Sequence, residues 1–264
     1  PIVDVVALYR KLGFGGLCIS NHDLYTDTKL FSDEDFVAIP GVEYSRDRHM
    51  LTIGVEKSLH ESEHQAAINK TIGSDGFVIL CHPNWIHKEY WDESEALKLT
   101  GYLGIEVMNM LIYRLSGSGR ASDLWDKILR SGRYIYGFAN DDFHMPFDAG
   151  RSYNDVYIEN DQLSWQGIKK SVKAGKFTAS TGLRLKSFVL DGDEIQICAE
   201  YPTETYINKF QYNFVTENGC VKSEFGEYSK YKLEDENYIR VEVTGENGAM
   251  LFTQPVIKIS RNLL

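Results

Sequence analysis

The chain predicts an α/β fold: a barrel or strongly curled parallel sheet over residues 1–186, then a small antiparallel, sandwich-like β domain over residues 187–264. Three observations lead there. Apolar runs of strand length alternate with helical periodicity through the first part, and that order implies parallel strands joined by crossover helices. From about residue 187 the helical period fades, and strand-like runs are separated by Asp191 and Gly192, Asn218 and Gly219, and Asn247 and Gly248, pairs that favour tight hairpin turns. Several runs in the first part also stop at His or an acidic residue, where α/β folds gather side chains on a ligand.

In order, residues 3–12 carry Val3, Val6, Ala7 and Tyr9 at helical spacing, and Gly13 closes that helix. A strand over 16–20 ends at Asn21, His22 and Asp23. A second, from Phe36 through Pro40 and Gly41, delivers Glu43, and a third over 49–55 starts at His49. Residues 61–72 read as a helix and 77–81 as a strand that Pro83 cannot continue, which leaves His82 at a rim. A strand over 104–109 and a helix over 121–130 precede the strand over 134–139, which runs into Asp142 and His144. A helix over 163–174 and a short strand over 177–182 complete this part. Strands are then expected over 188–190, 194–200, 210–215, 238–243 and 256–259.

Bulk properties exclude several classes. The 264 residues are enough for a substantial core, and no apolar run reaches the roughly 20 residues of a membrane helix. A formal net charge of -10 argues against broad nucleic-acid binding. The four cysteines are scattered, and Cys18 and Cys81 lie inside apolar strands, as buried thiols do. A reducing, cytoplasmic setting is expected. The chain begins at Pro1 with no Met and no signal-like apolar segment, so an upstream portion outside this sequence is expected.

The chemistry-bearing residues are His22, Glu43, His49, His82, Asp142 and His144, with Glu106 and Asn84 nearby. Any one of these histidines alone reads as a rim or loop residue. Four of the seven histidines at strand ends, beside carboxylates, instead form a donor set for zinc, iron or manganese, and Glu43 could bridge two ions. His60 and His64 have ligand spacing on a helix but no third partner, and with His87 they are left outside the set. Arg151 could hold a substrate phosphate. Trp85, Tyr90 and Trp91 could stack on a base or line an apolar pocket.

The order Ile19, Ser20, Asn21, His22 and Asp23, then Gly41, Val42 and Glu43, then His49, then Cys81, His82 and Pro83, then Asp142, Phe143 and His144, closed by residues 174–182, resembles the PHP superfamily (polymerase and histidinol phosphatase). The resemblance covers roughly the first 182 residues. It implies a distorted (β/α)7-type barrel holding two or three divalent ions (Mn, Zn or Fe) that hydrolyses a small phosphate ester by metal-activated water. Glu43 would then bridge two ions, His49 and His82 would complete one, Asp142 would ligate its neighbour, and His22 with His144 would hold a third. His22, Asp142 and His144 are the expected catalytic residues.

Two departures from the family pattern stand out. The family's His-x-His on the opening strand is absent, since no His precedes His22, and Asn21 stands where the family often has Asp. A chain that lacks this strand is either a trimmed phosphoesterase or a degenerate barrel acting as a binding or adaptor module. For the second role Tyr201, Tyr206, Tyr212, Tyr228 and Tyr231 could offer sugar contacts. A hydrolase of a non-phosphate ester or amide would use the same ligands.

Overall fold

A computed structural model describes residues 1–85, 90–159, 163–203 and 208–257. His87, Tyr206 and the end of the strand expected over 256–259 lie outside them.

The first sheet has six strands in sequence order: β1 (Gly16–Ile19), β2 (Val37–Tyr44), β3 (Met50–Ile53), β4 (Phe77–Leu80), β5 (Gly104–Asn109) and β6 (Tyr136–Asn140). It is mixed. β1 and β2 run parallel, β3 is antiparallel to both of its neighbours, and β4, β5 and β6 are parallel again. The expected (β/α)7-type barrel is therefore overturned, for two physical reasons. Only five residues, 45–49, join β2 to β3, too few for a crossover helix, so the pair forms as an antiparallel hairpin. The next two strands, β7 (Tyr153–Val156) and β8 (Phe177–Ser180), leave the curled sheet altogether and pair antiparallel with each other. Among the described residues, strands outnumber helices, sixteen to five α-helices.

The helices are α1 (Ile2–Lys11), α2 (His64–Gly73), α3 (Glu93–Lys98), α4 (Ser122–Arg130) and α5 (Trp165–Lys173). Their starts follow local chemistry. The Asp92 carboxylate accepts from the Glu95 N–H at 2.8 Å ahead of α3, and the Ser164 hydroxyl accepts from the Gly167 N–H at 3.1 Å ahead of α5. α4 buries Leu124, Trp125, Ile128 and Leu129 on one face, as their spacing requires. None of the described helices is long and apolar enough to cross a membrane.

The second body is β-rich. β9 (Arg184–Asp191), β10 (Glu194–Glu200) and β13 (Tyr228–Lys232) form a three-stranded sheet. It faces a larger sheet ordered β12 (Gly219–Gly226), β11 (Phe210–Thr216), β14 (Tyr238–Thr244), β15 (Met250–Thr253), β8, β7, with β16 (Val256–Ile257) on β14. Ile195, Ile197, Phe210, Phe214, Val241 and Leu251 fill the space between the two sheets. The expected boundary at 186/187 falls inside β9, and β8 pairs with β15 across it.

β14 explains how the two bodies join. Its alternate residues Ile239, Val241 and Val243 face the sandwich core, while Tyr238 belongs to the core that contains Trp125 of α4. Arg240 and Glu242 share the Tyr238 face and are buried too, so their charges must be matched. Arg240 reaches Asp126 of α4 at 2.6 Å and Glu242 at 2.7 Å, and Glu242 also accepts from Arg120.

The outer edge of β6 is closed by side chains. The Asn154 amide accepts from the Ala139 N–H and donates to the Ala139 carbonyl, both at 3.0 Å. Two residues earlier on β6, the Gln254 amide does the same for Gly137, at 2.9 and 2.8 Å. Each amide imitates one rung of a ladder. Residue 137 must be glycine, because an added Cβ would meet Val107 at 2.2 Å and the Trp125 ring at 2.7 Å.

Candidate metal centre

Five strands deliver their chemistry to one rim of the curled sheet. β1 is prolonged by an isolated bridge that places His22 directly beside Glu43, with the Asp23 N–H donating to the Glu43 carbonyl at 2.8 Å. β2 carries Glu43 one residue before its end. His49 precedes β3, whose reversed direction brings its start to the rim where β2 ends. His82 follows β4, and Asp142 and His144 follow β6.

Glu43 is the hub. Its carboxylate lies 2.8 Å from Nδ1 of His49, 3.5 Å from Nδ1 of His22 and 3.6 Å from Nε2 of His82. One ligand atom each from His22, Glu43 and His49 lies within 4.8 Å of the other two. Donors bonded at about 2.0–2.2 Å to a common ion stand within roughly 4 Å of each other, so this group needs only a small contraction to hold one. The His82 ring is buried with Nε2 towards the Glu43 carboxylate, while Nδ1, on the other side of the ring, has no hydrogen-bond partner among the described residues. The residues present fit a divalent ion.

Asp142 and His144 stand next to this group. The His144 ring lies 6.0 Å from that of His22, and its Nδ1 is 3.4 Å from the Asp142 carboxylate. The six expected residues thus lie along one rim, and three of them, His22, Glu43 and His49, have ligand atoms close enough to share an ion. The supporting residues are arranged less as expected. Trp85 lies against the rings of His82 and His49, with centroids 5.1 and 6.2 Å away. Arg151 is exposed, makes no ion pair among the described residues and does not line the cavity beneath the rim. Asn84 faces away, donating to the Arg120 carbonyl and the Asp123 carboxylate. His64 is anchored to the Arg48 carbonyl at 2.7 Å and packs on Tyr44 and Trp91, where the sequence suggests only a solvated helix residue.

Charge in the rim is unbalanced. Burial pushes the Glu43 carboxyl up, but the imidazoles of His49, His82 and His22 outweigh it and hold the group at about 2. Burial and then the charge of Glu43 push Asp142 up. Burial likewise pushes Glu106 up, to about 7, with Asp142 adding to the shift and His82 opposing it. Three carboxylates share a largely dry site, and a bound cation would relieve their repulsion.

No family model matches the chain, and no curated protein matches it.

A cavity of about 900 Å³ is lined by His22, Glu43, Asp142 and His144 at the rim and by the apolar Ile39, Leu51, Phe77 and Phe138. All of β1 and all of β7 line it, and each is the last strand of its sheet. Sequence reasoning missed the loop that carries His144. Asp148, which is buried, accepts from the His144 and Met145 N–H groups at 3.1 and 2.8 Å and pairs with Arg114 at 2.8 Å. The pattern Met145, Pro146, Phe147, Asp148, a proline opening a helical turn two residues before a carboxylate, was the available signal.

Proposed function

We propose that the chain is a metal-dependent hydrolase of a small phosphate ester, a nucleotide or sugar phosphate being the substrate class. The observation that carries the metal reading is the convergence of three imidazoles, His22, His49 and His82, on the Glu43 carboxylate, with Asp142 and His144 at its edge. The choice of phosphate rests on the resemblance of the ordered motifs to the PHP superfamily. Divalent ions held there, Mn, Zn or Fe, would supply an activated water near neutral pH and neutralise phosphoryl oxygens. By the resemblance Glu43, His49 and His82 would hold one ion and Asp142 its neighbour, and His22 also lies within ligand reach of Glu43 and His49.

The exposed imidazoles of His22 and His144 are the first side chains an incoming ester meets. Either is placed to give a proton to the leaving oxygen, and Asp142, close to Nδ1 of His144, would steady the charged form of that ring. Trp85, half-buried against the rings of His82 and His49 and backed by the buried Tyr90, offers an apolar surface for the organic part of the ester. Of the described tyrosines in the β half, Tyr212 is fully buried and its hydroxyl donates to the Glu227 carbonyl, whereas Tyr228 is exposed.

The test is elemental analysis of the purified protein, with assays on phosphate monoesters and diesters and on lactone and amide substrates, for the wild type and Asp142→Ala. Bound Mn, Zn or Fe, with phosphate-ester hydrolysis that falls on substitution, supports the reading. Protein that binds none of these ions sinks it in favour of a binding module. Turnover of lactones or amides alone would keep the ligands and replace the substrate.

A further inference from the structure

We propose that Glu106 is the positioning residue of this centre, a single buried carboxylate that sets both His82 and Asp142 for metal binding; the inference rests on the metal-centre reading above. His82 and Asp142 have φ of +30° and +55°. Residues other than glycine persist in that left-handed region where the surroundings over-determine them, and both residues leave strands of the same sheet there. Glu106 supplies the constraint at each. Its Oε2 accepts the His82 N–H itself at 2.6 Å, which fixes the peptide from which the imidazole projects.

The second arm runs through Asn109. One hydrogen of its amide goes to Glu106 Oε2 at 2.8 Å and the other to Asp142 Oδ2 at 3.0 Å, so a neutral group spans two carboxylates. The Ile112 N–H donates to Asn109 Oδ1 at 3.2 Å and fixes which way that amide points. On the other side, Asn140 donates to Glu106 Oε1 at 2.8 Å and accepts from Asn154, which also closes the edge of β6. Glu106 and Asn109 are both fully enclosed. The site at residue 106 thus faces three N–H donors. A glutamine there keeps the size of the side chain but sets its own N–H2 against one of them.

The test uses the full chain with Co(II) as the probe, measuring affinity by titration and ligand geometry by the visible absorption of the bound ion. Outer partners of metal ligands typically change affinity by about 10–100-fold. Glu106→Gln should weaken Co(II) by a factor in that range and alter its spectrum. Asn109→Ala, which cuts the arm to Asp142 together with its bonds to Glu106 and the Ile112 N–H but keeps the Glu106 bond to the His82 N–H, should weaken it less. Glu242→Gln, a buried carboxylate lost from the Arg240 pair, should lower thermal stability while leaving affinity and spectrum as in the wild type. Folded Glu106→Gln and Asn109→Ala proteins with wild-type affinity and spectrum would overturn the inference. If Glu106→Gln does not fold, Asn109→Ala decides it alone on the same criteria. Failure of the wild type to bind Co(II) at all is a distinct result, and it removes the metal-centre reading and this inference together.

Discussion

His49 and Glu43 meet at 2.8 Å although one precedes its strand and the other sits at the end of its own. The antiparallel register, Tyr44 opposite Met50 and Glu43 opposite Leu51, returns the chain to the same rim within a short turn. In an all-parallel sheet a residue before β3 would lie at the opposite end from His22 and His82.

Glu43→Ala removes the carboxylate on which three imidazoles converge. Partners of ligands alone shift affinity about 10–100-fold, so loss of this hub should exceed that range. Equilibrium dialysis with elemental analysis is the measurement, and retention of wild-type metal content would remove Glu43 from the ligand set.

The ion pair between the two bodies gives a stability prediction. Arg240→Ala leaves Asp126 without its guanidinium partner and leaves Glu242 only Arg120. Breaking a buried pair from one side costs about 3–5 kcal/mol, whereas Arg240→Met with Asp126→Leu and Glu242→Leu should recover much of the loss. Urea unfolding of the metal-free protein would check both arms. Equal stability of Arg240→Ala and the wild type would mean that the charges find water.

The closure of β6 by two amides predicts a second effect. Gln254→Leu leaves a buried N–H and a buried carbonyl of Gly137 without partners, and each unsatisfied group costs roughly 1–3 kcal/mol. Amide hydrogen exchange at Gly137 should rise in that variant beyond what its global stability explains. Unchanged protection would show that another group takes over the rung.

The site was more legible in the sequence than the fold around it. His22, His82 and Asp142 each follow an apolar run that a turn residue or Pro83 terminates, and strand ends survive any rearrangement of strand direction. Direction itself was not legible: the stretch joining β2 and β3 shows polarity but not which way the next strand runs. β7 was invisible because Tyr153–Val156 has no apolar alternation, its pairing being set by β8 and its Asn154 amide instead. β14 misleads in the opposite way, since Arg240 and Glu242 look like an outward polar face and are in fact buried against α4. The second layer of the centre needed tertiary structure, because Asn109 has nothing in its local sequence to distinguish it from a strand-end asparagine.

The last prediction concerns the expected His-x-His and the cavity between β1 and β7. Among the described residues β1 pairs only with β2 and β7 only with β8, and both line the same space of about 900 Å³. Strand edges with free N–H and carbonyl groups accept an added strand, and alternate side chains of such a segment would point into the apolar floor and out to the rim. The chain alone, with Glu43, His49 and His82 in one group, should hold one ion more tightly than any other. An extended peptide of alternating apolar residues carrying His-x-His, added in trans, should raise the bound metal to two or three ions per chain, and a matched peptide with Ala-x-Ala should not. Asp142→Ala should abolish the gain while leaving the first ion in place. Titration calorimetry with elemental analysis separates these cases. Identical metal content with both peptides would show that the open edges of β1 and β7 do not complete the centre.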